Sequence, residues 1–488
     1  MRARVRYLLQ IVLALAISAL GFFQMFERTQ GRVTAMDYTL MGAVAVLFVV
    51  MWAVAAKWQP YANQSIMACV VMLTAIGLLM ITRIDKEMDT KVAMRQMLWL
   101  CLAIVCACLL FAFMHDYRWL RRFSYVSMVI GLVLLLSPMV PGLGREIGGA
   151  RIWIGIGSYQ LQPGEFAKLF LAFFFASYLF NHRDQLAVGG KKVLGLQLPR
   201  LKDLGPIIVV WVASMGVLIL QHDLGTSLMF FAMFVAMLYV ATGRASWLVI
   251  GFLAFAVGCV AAARIFAHVG YRVDVWLHPF DAAIYNRAYG SSYQVVQGLF
   301  GMGAGGLFGT GLGSGHPSLT PLANSDFIFA SAGEELGLVG VFAILMLYLL
   351  IIAAGMIAAM RIKDGFGKLL ASGLVFTMAF QVFTVVGGIT LVIPLTGLTM
   401  PYMASGGSSL IANYVLAALL VIISNAANKP QDDAALLSDT FRMQALHALN
   451  TKRPREARHT ASHVTIGAVP SADDDGPMDD TVDGGGSR

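Results

Sequence analysis

Charge is scarce in this chain: Asp, Glu, Lys and Arg make up 13% of its 488 residues, whereas apolar side chains make up 58%. Soluble domains carry about 25% charged residues, so the deficit excludes an ordinary water-facing surface over most of the length. Cysteine is sparse too. Cys69, Cys101, Cys106, Cys108 and Cys259 all fall inside apolar runs and form no CxxC pair, which argues against a disulfide scaffold and against a thiol-built zinc site. Neither GxxxxGK[ST] nor HExxH occurs, so ATP-driven coupling and zinc hydrolysis lack their usual residues. The segment GMGAGG at 301–306 satisfies GxGxxG by letter, but no alternation of strand and helix surrounds it. Its glycines are read as permitting tight turns or close backbone approach, and no nucleotide is expected. The net charge of +8 comes without a basic cluster interleaved with aromatics, so it points to loops facing anionic lipid and not to nucleic acid.

The apolar residues are present in blocks long enough to cross a hydrocarbon core of about 20 residues. They lie near 6–26, 37–57, 65–83, 94–114, 121–140, 166–181, 206–222, 225–242, 246–266, 333–356, 366–390 and 407–426. Twelve spans predict an all-α polytopic membrane protein with both termini on one side. Lys and Arg gather in alternate connections: Arg2, Arg4 and Arg6; then Arg118, Arg121 and Arg122; then Arg183 to Lys202; then Arg361, Lys363 and Lys368. The positive-inside bias makes those connections, and both termini, cytoplasmic. The first block runs the length of a full span with no small-x-small cleavage site before Glu27, so it reads as a retained helix.

Three regions break the pattern of helix and short loop. Residues 141–165 form an outer loop with Trp153 and Tyr159 at the level of an aromatic belt. Residues 267–327 are far longer than a compact connection needs, as functional loops are. From 428 onward the chain turns polar and ends in DDDGPMDDTVDGGGSR, which predicts a disordered cytoplasmic tail. The outer end of the sixth span carries QPGEFAK, placing Glu165 and Lys168 one turn apart on one helix face. Each charge costs a few kcal/mol or more at bilayer depth unless it pairs or lines a wet cavity. The pair predicts a polar site inside the membrane protein.

Further motifs sit at span ends: GGARIWI before QPGEFAK, HDLGTS at 222–227, HPFD followed by GSSYQVVQ, SDFIFASAGEELGLVG at 325–340, and IPLTGLTMPYMASGGSS at 393–409. In this order and spacing, over about residues 65–426, the chain resembles the SEDS family of membrane glycosyltransferases, the RodA, FtsW and SpoVE proteins. Within it the chain is most similar to an actinobacterial RodA type. The family core has about ten spans, so the resemblance implies a core at 65–427, two extra amino-terminal helices within 1–64, a functional outer loop at 267–327 and a tail at 428–488.

The resemblance implies a peptidoglycan polymerase. The 4-hydroxyl of one lipid II GlcNAc would attack the anomeric carbon of a second lipid-linked glycan and displace undecaprenyl diphosphate, with inversion to a β-1,4 link. The reaction needs a base at the attacking hydroxyl and cations at the departing diphosphate, on the outer face of the cytoplasmic membrane. The family's essential aspartate belongs to a pattern resembling DPxxDPxGxGYQ. Here His278 stands at its first aspartate and the segment before Gly290 is longer, which assigns the base to Asp281, with Asp274 as the alternative. Read without the family, Asp281 followed by AAIY is good helix-capping chemistry.

The resemblance adds Arg151, Glu165, Lys168, Asp223, Asp326, Glu335, Ser408 and Ser409 as substrate-binding or cavity residues. Each has a plainer reading. Glu165 and Lys168 could tie two helices together, Arg151 could snorkel to the interface, Asp223 could cap the helix starting near Thr226, and Asp326, Glu334 and Glu335 could only position their span. Ala404 and Ser405 replace the family's usual Ser-Tyr. A divalent cation, Mg or Mn, is implied at the diphosphate, with the substrate supplying several ligands. The partners implied are lipid II, a class B penicillin-binding protein transpeptidase and other cell-wall machinery. A lipid II flippase or transporter, a septal polymerase and a noncatalytic scaffold are the competing readings. A transporter would tend to show two related halves, which are not evident, and a scaffold would have no use for Asp281.

Overall fold

The computed structural model describes residues 2–30, 33–147, 149–156, 159–187, 192–193, 196–197 and 201–430. Met1–Lys429 forms one compact unit. Of the tail expected at 428–488, residues 431 onward lie outside the described residues, and Asn428 is still helical.

The helices in chain order are α1 (Arg2–Gln30), α2 (Ala35–Trp58), α3 (Ser65–Met88), α4 (Val92–Phe113), α5 (Ser124–Leu136), α6 (Pro163–Ala187), α7 (Leu201–Leu220), α8 (Leu224–Thr242), α9 (Ser246–Ile265), α10 (Ala267–Leu277), α11 (Ala282–Tyr285), α12 (Tyr293–Gly305), α13 (Ile328–Arg361), α14 (Gly365–Ile389) and α15 (Gly407–Asn428). Each of the twelve expected spans falls on one of them. Among the described residues eleven helical segments are long and apolar enough to cross a membrane, one of them α5 extended by 3-10 turns to Tyr117–Met139, and within α7 the apolar stretch Ile208–Val217 is shorter. This is a multi-pass membrane protein. Helix is what an apolar block must form in lipid, because every backbone N–H and C=O then bonds within the segment. Side chains end several helices: Thr34 and Asp37 close a reciprocal capping box on α2, and Asp364 accepts the Gly367 N–H at the start of α14.

Burial divides the helices into two sets. In α3, α6, α14 and α15 more than 70% of the most apolar window is buried, against 22% in α1 and α2 and 6% in α9. The four buried helices therefore form the centre, and the outer ones turn side chains such as Leu13, Leu20, Phe252 and Val257 outward, where hydrocarbon is the solvent. The accessory helix α1 packs on α3. Its Arg28 also hydrogen-bonds Ser314 of the long outer segment, so α1 braces the core's outer loop.

Residues 141–165, expected as a loop, form a three-stranded antiparallel sheet of β1 (Gly144–Ile147), β2 (Ala150–Ile156) and β3 (Tyr159–Leu161), in which Arg145 pairs with Trp153 and Ile154 with Leu161. ARIWIGI has the alternation and β-branching a short strand favours, but three strands this short give little sequence signal. The long segment 266–327 is also ordered, folding into α10, α11, α12 and a 3-10 turn at Pro317–Leu319.

Helix α13 is two helices joined at Gly337, whose φ of 69° and ψ of −172° are open to glycine alone. The break frees backbone groups, and the outer segment supplies partners. Leu338 and Val339 donate to the Gly306 and Leu307 carbonyls, while Thr310 and Gly311 donate to those of Glu334 and Glu335. GMGAGG serves this docking: a Cβ on Gly305 would stand 2.2 Å from the Gly333 oxygen. Gly305 therefore acts through close backbone approach and Gly306, at φ 52°, through a turn, the two uses the sequence suggested.

Gly337→Ala would put a Cβ 2.2 Å from the Gly309 nitrogen in a conformation alanine avoids. The expected loss is about 3 kcal/mol or more, read as a lower unfolding temperature and faster proteolysis of 306–327. Wild-type values for both would mean that the break is not held as described.

Candidate active site

The polar centre is built where α6 begins. Pro163 opens the helix, the Gln162 N–H is accepted by Ser408 Oγ at 2.8 Å, and Glu165 lies in the first turn, where the helix dipole favours a carboxylate. Lys168, 1% exposed, donates to Glu165 Oε2 at 2.6 Å, Gln381 Oε1 at 3.2 Å and Asn413 Oδ1 at 3.3 Å. An ammonium has three N–H groups, and each has an oxygen from a different helix: α6, α14 and α15. A second ring of bonds holds those oxygens. Gln381 Nε2 donates to the Thr399 carbonyl at 2.8 Å, Asn413 Nδ2 to the Ser409 carbonyl at 2.8 Å, and Thr399 Oγ1 to Ser409 Oγ at 3.2 Å. The structure thus joins Glu165, Lys168, Ser408 and Ser409. Lys168 has no N–H left over, so the pair ties helices together.

Beside this network stands a residue the sequence reading missed. Arg272 of α10 donates through Nη1 to the Leu395 and Thr396 carbonyls at 3.1 and 2.9 Å. Asp223 and Asp326 both act on it electrostatically, and Asp223 also feels Glu165. Burial lowers the Arg272 pKa, and the two carboxylates oppose that shift. Burial raises the Asp223 carboxyl above its usual range even though it accepts the Thr226 N–H at 3.0 Å as the cap of α8. Burial likewise brings Asp326 up to about 7, against the pull of Arg272 and a hydrogen bond with Ser325. His222, at φ 60°, meets the Gly149 carbonyl through Nδ1 and packs its ring 4.6 Å from that of His268. His268 Nε2 and Thr396 Oγ1 are buried without a hydrogen-bond partner in the protein. Two such atoms beside an arginine are what a polar ligand would satisfy.

The remaining expected residues lie apart. Glu335 takes the Arg83 Nε–H at 2.9 Å on one oxygen and the Gly313 N–H at 3.0 Å on the other, and Arg83 also donates to the Gly315 carbonyl at 2.7 Å. Glu334 accepts the His316 N–H at 2.6 Å. This acidic pair fastens the outer segment to α3. Arg151 is exposed on β2, where its backbone N–H reaches the Gln221 carbonyl at 3.3 Å. Asp281 is exposed and caps α11 through the Ala283 N–H at 2.8 Å. Asp274 instead pairs with Arg287 at 3.2 Å. The loop around Asp281 is braced on both sides, by Trp276 Nε1 on the Leu391 carbonyl at 2.9 Å and Ser292 Oγ on the Pro279 carbonyl at 2.6 Å.

Gln381 and Asn413 were legible in principle, since amides inside apolar spans are costly and seldom idle. Among the described residues no group of three or more His, Cys, Asp or Glu side chains could hold a metal ion. Asp223 and Asp326 beside one arginine do not form a divalent-cation cage by themselves.

Comparison with known proteins adds to this geometry. The family model FTSW_RODA_SPOVE, described as cell cycle protein, matches residues 63–429. The chain is 45% identical over 382 residues to the peptidoglycan glycosyltransferase RodA of Mycobacterium tuberculosis, covering 77% of this chain and 80% of that protein. It is 31% identical over 369 residues to stage V sporulation protein E of Bacillus subtilis, covering 72% and 94%. Among solved structures it is similar to a chain of a peptidoglycan synthase complex that coordinates polymerization and crosslinking, with TM-score 0.59 and 27% identity over 76% of this chain and 99% of that one. The rod shape determining protein RodA of Thermus thermophilus matches at TM-score 0.53 and 26% identity, over 76% and 98%.

The buried pair predicts coupling. Glu165→Gln or Lys168→Met strands one charge in low dielectric and is expected to cost about 3–5 kcal/mol, whereas the double substitution costs less than the sum by about 1–3 kcal/mol. Unfolding of the four proteins in one detergent measures this, and strictly additive losses would show that the two side chains act separately.

Proposed function

We infer the activity of this chain from its family: it belongs to the FtsW, RodA and SpoVE family, and it is a peptidoglycan glycosyltransferase of the RodA type. The observation that carries the site assignment is Arg272 held on the Leu395 and Thr396 carbonyls within electrostatic reach of Asp223 and Asp326, with His268 Nε2 and Thr396 Oγ1 buried without a hydrogen-bond partner in the protein. A guanidinium with polar atoms that lack partners suits a diphosphate headgroup. The proposed substrate is lipid II, joined into β-1,4 glycan strands at the outer face for cell-wall elongation.

In the proposed reaction the GlcNAc 4-hydroxyl oxygen forms a bond to the anomeric carbon of the second glycan as the bond from that carbon to the diphosphate oxygen breaks. The hydroxyl proton passes to a base and the negative charge to the departing diphosphate. Arg272, pinned by two carbonyls, is preorganised to receive that charge. Asp281 is the proposed base: it is a carboxylate on a braced loop, open to the headgroup layer, where an incoming hydroxyl could reach it. Glu165, Lys168, Ser408 and Ser409 form the rigid floor, and Arg151 is a further phosphate contact at the rim. A divalent cation belongs to the proposal only as a companion of the substrate's diphosphate, whose oxygens would supply most of its ligands. The proposed orientation, from the positive-inside bias of the basic connections, has both termini cytoplasmic. The proposed partner is a class B penicillin-binding protein transpeptidase, working with other cell-wall machinery, in keeping with the synthase complex to which the chain is similar.

Asp281→Asn keeps the cap and removes the base, so it is expected to abolish glycan ladders from labelled lipid II while leaving unfolding temperature and lipid II binding near wild type. Ladders retained in Asp281→Asn but lost in Asp274→Asn move the base to Asp274. Ladders retained in both exclude this loop as its source.

Asp326 sets a pH dependence. Below about pH 7 its carboxyl is protonated and leaves Arg272 to the substrate; above it the carboxylate competes for Arg272 and repels diphosphate. The KM for lipid II is therefore expected to rise as pH climbs through about 7, and to flatten in Asp326→Asn. A KM that falls over this range would reverse the proposed role.

A further inference from the structure

Helix α6 runs from Glu165 at the polar site to Arg183, eighteen residues or about 27 Å away, which is close to the hydrocarbon thickness. At that far end lies a cavity of about 540 Å³ lined by Asp116, Arg118, Trp119, Arg121, Arg122 and Asp364. It belongs to the turn between α4 and α5, a 3-10 segment over Tyr117–Phe123, and no step of the proposed reaction uses it.

The charges there are not balanced. Asp116 accepts the Arg118 N–H at 2.9 Å, and Asp364 accepts the Gly367 N–H at 2.9 Å and the Tyr117 hydroxyl at 3.2 Å, so both carboxylates are engaged in holding local backbone. Arg118 reaches Asp364 only at 3.9 Å, with 61% of its side chain exposed. Arg121 and Arg122 are exposed and have no carboxylate partner among the described residues. Arg121 and Arg183 lie over the Phe180 ring, at 4.3 and 5.6 Å, which fixes a guanidinium by stacking. The apolar surroundings distinguish a lipid from a free ion. Trp119, 55% exposed, packs against Phe123 at the level of the arginines, and α5 then continues along the membrane with Val126, Val129 and Val133 turned outward.

We propose that this pocket binds the phosphate headgroup of an anionic phospholipid in the leaflet opposite the active site, with Arg118, Arg121 and Arg122 on the phosphate and the acyl chains along the outward face of α5. Arginines pair with phosphate oxygens in fork geometry, and basic pockets between helices at a membrane face suit anionic headgroups. The aromatic pair fixes the depth. A bound lipid would brace the junction of α5, α6 and α14, the last two of which supply Glu165, Lys168 and Gln381 to the polar centre at their other ends.

The test uses the full chain purified in neutral detergent, with phosphatidylglycerol or phosphatidylcholine added and retained lipid counted by intact-complex mass spectrometry. Wild type is expected to retain phosphatidylglycerol selectively. Arg122→Gln is expected to weaken retention roughly fivefold and the triple Arg118→Gln, Arg121→Gln, Arg122→Gln by roughly a hundredfold, with unfolding temperatures in phosphatidylcholine unchanged. Arg6→Gln, at the same membrane face on α1, is the control and is expected to have no effect. Equal losses in Arg6→Gln and Arg122→Gln would reduce the effect to general surface charge and overturn the site. Stabilisation of the lipid-free protein by inorganic phosphate, abolished in Arg122→Gln and as large as that from phosphatidylglycerol, would assign the pocket to a free anion and overturn the lipid. If the triple variant unfolds early, Arg122→Gln alone decides, and undiminished retention by it refutes the proposal.

Discussion

The ammonium of Lys168 is the constraint on which the centre of this protein depends. An unpaired ammonium in hydrocarbon is prohibitive, and this one is tolerated because three oxygens from three helices meet its three donors. The requirement runs outward. Gln381 and Asn413 can accept from Lys168 only if their own amide groups are held, and those bonds pass to Ser409 at the start of α15 and to Thr399 on the segment that carries the carbonyls gripping Arg272. One buried charge thus fixes the positions of α6, α14, α15 and the non-helical stretch between the last two.

Non-helical backbone at membrane depth is rare because its polar groups need partners. The protein meets the requirement at Gly337 by inserting the segment 306–311 against the broken helix, and at 391–396 by laying α10 across the carbonyls through Arg272 and Trp276. Both devices use the outer segment 266–327. That segment is therefore part of the wall of the site, and Arg83 with Glu335 secures its far edge.

Much of this was legible in the sequence. Apolar blocks located every expected span, because lipid leaves helix as the available solution, and the cost of Glu165 and Lys168 in such a block announced a network before any partner was visible. Partners were harder to find. Arg272 is one of several basic residues near an outer loop, and only folding brings it onto the Leu395 and Thr396 carbonyls and within electrostatic reach of Asp223 and Asp326, which lie far away in the chain. The sheet at 144–161 was missed because strands of three to seven residues carry little periodicity. Asp281 shows the reverse: its capping role was plain from DAAIY, and the structure places it as that cap, so its chemistry rests on the family's loop pattern and on its exposure.

These two kinds of residue suit different parts of one reaction. A diphosphate leaving group gains charge at a fixed place, so the group that receives it works best when already immobile, and Arg272 is held by carbonyls that are in turn held by the Lys168 network. The attacking hydroxyl belongs to a sugar that must arrive, bond and then advance by one disaccharide. A base buried in the rigid floor would obstruct that advance. A carboxylate at the edge of a braced loop can meet each incoming hydroxyl and release the product. The two proposed roles, rigidity at the leaving group and access at the nucleophile, are compatible because Arg272 sits in the middle of α10, held in the wall, and Asp281 lies beyond its C-terminal end as the exposed cap of α11.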